Sequence, residues 1–277
     1  MSQIEGELRK MSTQLADVVQ YQMTLGNDTV ELNALIGKTI QLRFSGEIFC
    51  VQCGRKTKKS FQQGHCFVCM RRINECNNCI LFPERCLVEQ GNCPHDDWAH
   101  SQCHAKQTIY LSNTSGLKVG ITRDGQIPTR WIDQGAMQAI PLFTAKNRYK
   151  AGLMEVAIKD YISDKTNWRA MLKRDSVFCD MEKEKQALLQ QAKAAIDPLL
   201  HAHPDDYQIQ TQASTEIQYP VDRYPEKVKS QSFDKTAEIE GTLMGIKGQY
   251  LMLDTGVLNL RKFGGYHVTF AVMPTLV

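Results

Sequence analysis

Two pairs of cysteines carry the clearest chemistry in this chain. Two residues separate Cys50 from Cys53 and Cys66 from Cys69, and twelve residues separate the pairs. A two-residue gap lets both thiolates of one knuckle reach a single ion. Two knuckles then complete a tetrahedral shell with no position left for water or substrate. The spacing predicts a structural zinc site of the zinc-ribbon kind. Five further cysteines follow, Cys76, Cys79, Cys86, Cys93 and Cys103, interspersed with His95, His100 and His104. They exceed one tetrahedral shell, so a second zinc is expected on Cys76, Cys79 and Cys93, with either Cys86 or Cys103 as fourth ligand. Cys179 stands outside this ladder and reads as a buried thiol.

A basic stretch surrounds the first site. Arg55, Lys56, Lys58 and Lys59 lie between the knuckles and Arg71 and Arg72 follow the second, with Phe61 and Phe67 interleaved and no acidic residue from Gly54 to Arg72. Such a loop predicts a surface that tracks phosphates and stacks on bases. The alternative is electrostatic: four thiolates on Zn²⁺ leave a charge of about −2, which nearby cations offset. Net charge is only +3, so nucleic-acid affinity has to come from a local patch. Lys247, Arg261 and Lys262, near Tyr250, Phe263 and Tyr266, form another basic and aromatic group, for which core packing accounts equally well.

The elements that must position these residues read as an α+β chain. Residues 1–36 place Ile4, Leu8, Met11, Leu15 and Val18 at helical spacing, which predicts an amphipathic N-terminal helix. Residues 37–49 alternate Ile40, Leu42 and Phe44 with Gln41 and Arg43, a strand expected to join the C-terminal sheet. A zinc-binding, cysteine-rich module spans 50–105. Over 106–200 the pattern is hairpin, short helix opened by Pro128 and ended by Gly135, longer helix through Ala151, Met154 and Ile158, and a trailing helix stopped by Pro198. A linker marked by Pro204, Pro220 and Pro225 covers 201–235. Residues 236–277 return to short strands with glycine turns, predicting a small β-barrel or meander. The acidic N-terminus argues against a signal peptide, and no stretch approaches the roughly 20 apolar residues of a membrane span. A cytoplasmic protein is expected, where paired cysteines more often hold metal than form disulfides.

Within residues 108–167, Thr108-Ile109-Tyr110 and Lys118-Val119-Gly120 stand about ten residues apart, followed by Arg130-Trp131, Glu155 and Asn167. In order and spacing this segment resembles the GIY-YIG nuclease superfamily. Thr108 replaces that family's glycine and Lys118 its second tyrosine, a proposed general base. The resemblance implies a small α/β nuclease-like domain acting on DNA or RNA. Glu155 would bind Mg²⁺ or Mn²⁺, Arg130 would hold the scissile phosphate, Tyr110 would position the attacking water, and Asn167 would fix local geometry. Lys118 would serve either as a base of lowered pKa or as a phosphate contact. The whole chain, with its terminal Gly245-to-Tyr250 stretch, also resembles an uncharacterised bacterial family of unknown function. The leading expectation is a metal-dependent endonuclease. The alternatives are a nucleic-acid-binding adaptor that no longer cuts and a zinc scaffold for protein partners.

Overall fold

The computed structural model describes residues 3–73, 78–91, 93, 96–173 and 177–274. The chain divides into two units: Met1–Ile73 with Leu172–Arg174 and Ile217–Val277, and Asn74–Met171 with Asp175–Glu216. The division falls inside the cysteine ladder, so Cys50 to Cys69 belong to the first unit and Cys79 to Cys103 to the second.

In the first unit the strand Thr39–Phe49 is central. It lies between Tyr266–Val272 and Glu238–Lys247, and all neighbouring strands of this sheet run antiparallel. Its alternation sets the pairing: Ile40 and Leu42 are fully buried, while Gln41 and Arg43 face outward and bond Glu240 and Glu238 across the ladder. The sheet continues through Tyr250–Leu253 and Gly256–Asn259 on one side and Gln3–Glu7 on the other. Among the described residues no sheet closes into a barrel; the C-terminal strands are part of an open antiparallel sheet.

The expected N-terminal helix is replaced by strands, Gln3–Glu7, Ser12–Gln14, Gln20–Leu25 and Asp28–Glu31. The helical spacing is coincidental: Leu8 and Met11 are buried, but Val18 on the same notional stripe is exposed. The period-two run Tyr21, Met23 and Leu25, each fully buried, outweighs it. Gly26-Asn27 then turns the chain tightly, with Gly26 at φ 57° and Leu25 paired to Asp28.

The second unit carries the sheet order Tyr207–Ile209, Gln138–Ala145, Gln107–Asn113, Leu117–Arg123, again antiparallel. Helix Arg148–Lys159 covers one face of it. Ala151, Met154 and Ile158 recur at three and four residues and meet Ile109, Leu111, Val119 and Leu142 in the core. The trailing segment forms two helices, Met181–Gln191 and Lys193–Ala202, and the break falls at Ala192 while Pro198 lies inside the second helix. Residues 201–235, expected as a linker, also supply Tyr207–Ile209 and Thr215–Glu216, both paired to Gln138–Ala145.

Candidate functional site

Strand Thr39–Phe49 delivers Cys50 directly. Gly54, at φ 66°, donates its amide to the Cys50 carbonyl at 2.9 Å and turns the first knuckle. Cys66 caps helix Phe67–Arg72, its sulfur accepting the Cys69 amide at 3.4 Å, while the Cys66 amide donates to the Cys50 sulfur at 3.2 Å. The ligand atoms of Cys50, Cys53, Cys66 and Cys69 all lie within 4.8 Å of one another. Zinc–sulfur bonds at tetrahedral angles would place them about 3.8 Å apart, and the Cys53 and Cys66 sulfurs are 4.0 Å apart. Burial acts to raise the Cys50 pKa, but amide donors from Cys66, Cys53 and Gln52 bring it down to about 6. Burial and the neighbouring thiols push Cys69 up to about 12. Four thiolates need a cation between them, and this cluster is compatible with zinc.

The basic stretch has several different fates. Lys56 lies on the short strand Lys56–Thr57 and pairs with Glu47, and the Arg55 carbonyl accepts the Cys50 amide. Lys59 lies 5.3 Å from the centre of the Phe61 ring and Arg71 5.7 Å from that of Phe67, and the two rings meet edge to face at 5.8 Å. Lys58 and Arg72 are exposed.

In the second unit Cys79, Cys86, Cys93 and Cys103 gather in a small core with Val88, Ala99 and Tyr149. Both Cys86 and Cys103 therefore join Cys79 and Cys93; Cys76 and His95 lie outside the described residues. Arg148 holds this core to the longer helix, donating its guanidinium to the carbonyls of Cys79 (3.3 Å) and Ile80 (2.7 Å) and its amide to that of Cys103 (2.8 Å). A Cys103 hydrogen bond lowers the Cys86 pKa to about 6, against the effect of burial, and the same bond with burial raises Cys103. His100 and His104 stack on each other at 4.9 Å.

The hairpin residues occupy the centre of the same unit. Tyr110 pairs with Gly120 across the ladder, and its ring covers that glycine so closely that a Cβ there would lie 2.8 Å from the phenol oxygen. Tyr110 is fully buried and donates its hydroxyl to Gln134 Oε1 at 3.0 Å, with Trp131 packed edge-on at 5.9 Å. Burial raises its pKa, while the Arg130 guanidinium opposes the rise by charge and hydrogen bonding. Lys118, 5% exposed, is lowered to about 8, first by burial and then by the Arg130 charge, with Glu155 and Asp164 pulling the other way. Glu155, on the helix face beside Met154, is raised to about 7 by burial and by Asp164, with Arg148 opposing. Strands Gln107–Asn113 and Leu117–Arg123 thus hold Tyr110 and Lys118 within range of the charges of Arg130, on helix Thr129–Asp133, and Glu155, on helix Arg148–Lys159. Gln134, Asp164 and Arg148 are further members that sequence reasoning missed, because their partners are distant in the chain. Among the described residues no side-chain hydrogen bond draws Asn167 into this group: its Oδ1 accepts the amides of Arg169 and Ala170, both at 3.2 Å, and caps helix Trp168–Lys173. Thr108, in the place of the first motif's glycine, donates its hydroxyl to Asp124 at 3.0 Å.

The family to which such a chain belongs is decided by a match over residues 37–268, from the central strand of the first sheet to its last. The chain belongs to DUF2797, a family of proteins of unknown function. The match spans both units and every cysteine. No curated protein matches the chain, and no solved structure does.

Proposed function

We propose that the second unit binds nucleic acid and hydrolyses its phosphodiester bonds, with a divalent cation such as Mg²⁺ or Mn²⁺ on Glu155. The observation that carries this reading is the convergence of Arg130 and Glu155 on Tyr110 and Lys118, residues from four separate elements, with Lys118 and Tyr110 buried. Isolated surface charges do not shift one another in this way; grouped, partly desolvated ones do, and such groups concentrate at functional sites. The hairpin, the arginine on the next helix and the glutamate on a later helix also keep the order that the GIY-YIG resemblance implies.

The chemistry assigns each residue a task. A cation on Glu155 would polarise the phosphoryl oxygen. Arg130, permanently charged and forked, suits two phosphate oxygens. Tyr110 has no exposed surface and donates its hydroxyl to Gln134, so its task is to help hold Arg130, whose charge and hydrogen bonding act on its phenol, and not to meet water itself. Lys118, with its pKa lowered to about 8, exchanges its proton near neutrality, which suits it to take a proton from the attacking water or to return one to the leaving oxygen. The Cys50–Cys69 cluster would hold structural zinc. The Cys79–Cys103 group is read as a second zinc site that anchors the helix carrying Glu155.

The burial of Tyr110 favours a second reading, a nucleic-acid-binding adaptor that retains the charged group without cutting. The test incubates purified protein with structured and single-stranded DNA and RNA plus Mg²⁺ or Mn²⁺. Cleavage that disappears in Glu155→Ala supports hydrolysis at this site. Cleavage that survives the substitution places the chemistry elsewhere, and binding without cleavage on any substrate supports the adaptor.

A further inference from the structure

The first unit contains a cleft of about 870 Å³ that the reading above does not use. One wall is the loop between the two zinc knuckles, which contributes Lys58 and Lys59; another is the turn Leu260–Phe263, which contributes Arg261 and Lys262. Asp234 is the single carboxylate among the lining residues. Four cations against one carboxylate leave three formal positive charges. That carboxylate is itself committed, accepting the Tyr266 hydroxyl at 2.6 Å and lying 3.5 Å from Lys262 Nζ.

The floor is aromatic. Phe44, half-buried, meets Tyr266 at 4.8 Å and Phe233 at 6.0 Å between ring centres, and these rest in turn on Phe263. The rim is built with strained backbone: Gln62 and Gln63 are consecutive non-glycine residues in the left-handed region, at φ 44° and 67°, and Gln63 Oε1 accepts Arg261 Nε at 2.5 Å. Gly264 and Gly265 let the terminal strand approach this loop, since a Cβ at Gly264 would lie 2.4 Å from the Gln63 carbonyl oxygen. Cationic walls over an aromatic floor serve a ligand that carries both spaced anions and planar rings. A polyanion without rings has no use for the floor, and a duplex keeps its bases stacked inside and away from it.

We propose that this cleft docks single-stranded nucleic acid, with an unpaired base against Phe44 and the flanking phosphates on Lys58, Lys59, Arg261 and Lys262. The proposal does not depend on catalysis in the second unit.

The test uses the full chain with its zinc and no added divalent cation, in a Glu155→Gln background, so failed hydrolysis leaves it intact. Binding of labelled single-stranded DNA and RNA 12-mers is followed by fluorescence anisotropy across a salt series. The expected result is binding by the single strands that duplex DNA, polyphosphate and polyglutamate displace only weakly. Phe44→Leu, which keeps apolar bulk without the ring, is expected to weaken binding about tenfold. Lys58→Ala with Lys59→Ala is expected to reduce the log–log salt slope by about 1.4, at about 0.7 for each phosphate no longer neutralised. Zinc content and circular dichroism check that each variant folds. The proposal is overturned if Phe44→Leu binds as the parent does, if polyphosphate or polyglutamate displaces the strand as well as unlabelled strand, or if the lysine pair leaves the salt slope unchanged.

Discussion

Gly152→Ala inverts the usual rule for helices. Alanine in a helix interior is favoured over glycine by about 1 kcal/mol, so the exchange ordinarily stabilises. Gly152 is buried inside helix Arg148–Lys159, where a Cβ would lie 2.3 Å from the Glu84 nitrogen, 2.4 Å from the Pro83 carbonyl carbon and 2.9 Å from the Glu84 Cα. All three atoms are backbone, so no side chain can swing aside. Relief requires the turn Pro83–Arg85 to move outward by about 1 Å, and overpacking of this kind typically costs about 1–3 kcal/mol, at times more. Taking about 3 kcal/mol for a clash with rigid backbone, and subtracting about 1 for propensity, the variant should lose roughly 2 kcal/mol. The same turn leads into Cys86, whose amide donates to the Pro83 carbonyl at 3.0 Å, so the displacement also loosens the cysteine core. Guanidinium denaturation followed by tryptophan fluorescence reads the loss, since Trp131 is buried in this unit. Gly125→Ala is the control: its Cβ would meet nothing within 4 Å, and its effect should stay within about 0.5 kcal/mol. A Gly152→Ala protein as stable as the parent, or more so, would refute the close packing of that turn on the helix.

Gly120→Ala should cost about 1–3 kcal/mol, because its Cβ meets the buried Tyr110 hydroxyl at 2.8 Å, and any hydrolytic or binding activity that needs Arg130 should fall with it; unchanged activity would detach Tyr110 from the site. Cys66→Ser should lower bound zinc by one ion per chain, measured by elemental analysis, together with a drop in melting temperature. Asp206 accepts Lys150 at 3.0 Å; burial acts to raise its pKa, but the charges of Lys150 and Lys146 outweigh it, so the folded value lies below the unfolded one. The stability it contributes is therefore fully present above the unfolded value of about 3.9 and lost as pH falls through the folded value. Asp206→Asn should lower stability at pH 7 and flatten that acid-side loss in a series of denaturation curves from pH 6 to 3.

Local features of the sequence determined a good deal. The C-x-x-C pairs specify a four-cysteine cluster because two intervening residues already fix the reach of both thiolates. Helix Arg148–Lys159 follows from apolar residues three and four apart, and the strand at Thr39–Phe49 from strict alternation. The residues 1–36 show the limit. Ile4, Leu8, Met11, Leu15 and Val18 satisfy a helical period, but Gln3–Glu7 gains a partner in Tyr266–Val272, more than 250 residues away, and that pairing overrides local spacing. Only the tertiary structure decided which cysteines of the second group meet, that Asn167 caps a helix, and that Lys118, Arg130 and Glu155 share one environment. Each of these depends on burial and on charges from other elements, and neither quantity is written in the spacing of residues along the chain. The two cysteine groups differ in the same way. The first is closed by a single loop and is legible from its order, whereas the second is assembled around Arg148, a residue whose guanidinium partners are 68 and 69 positions away.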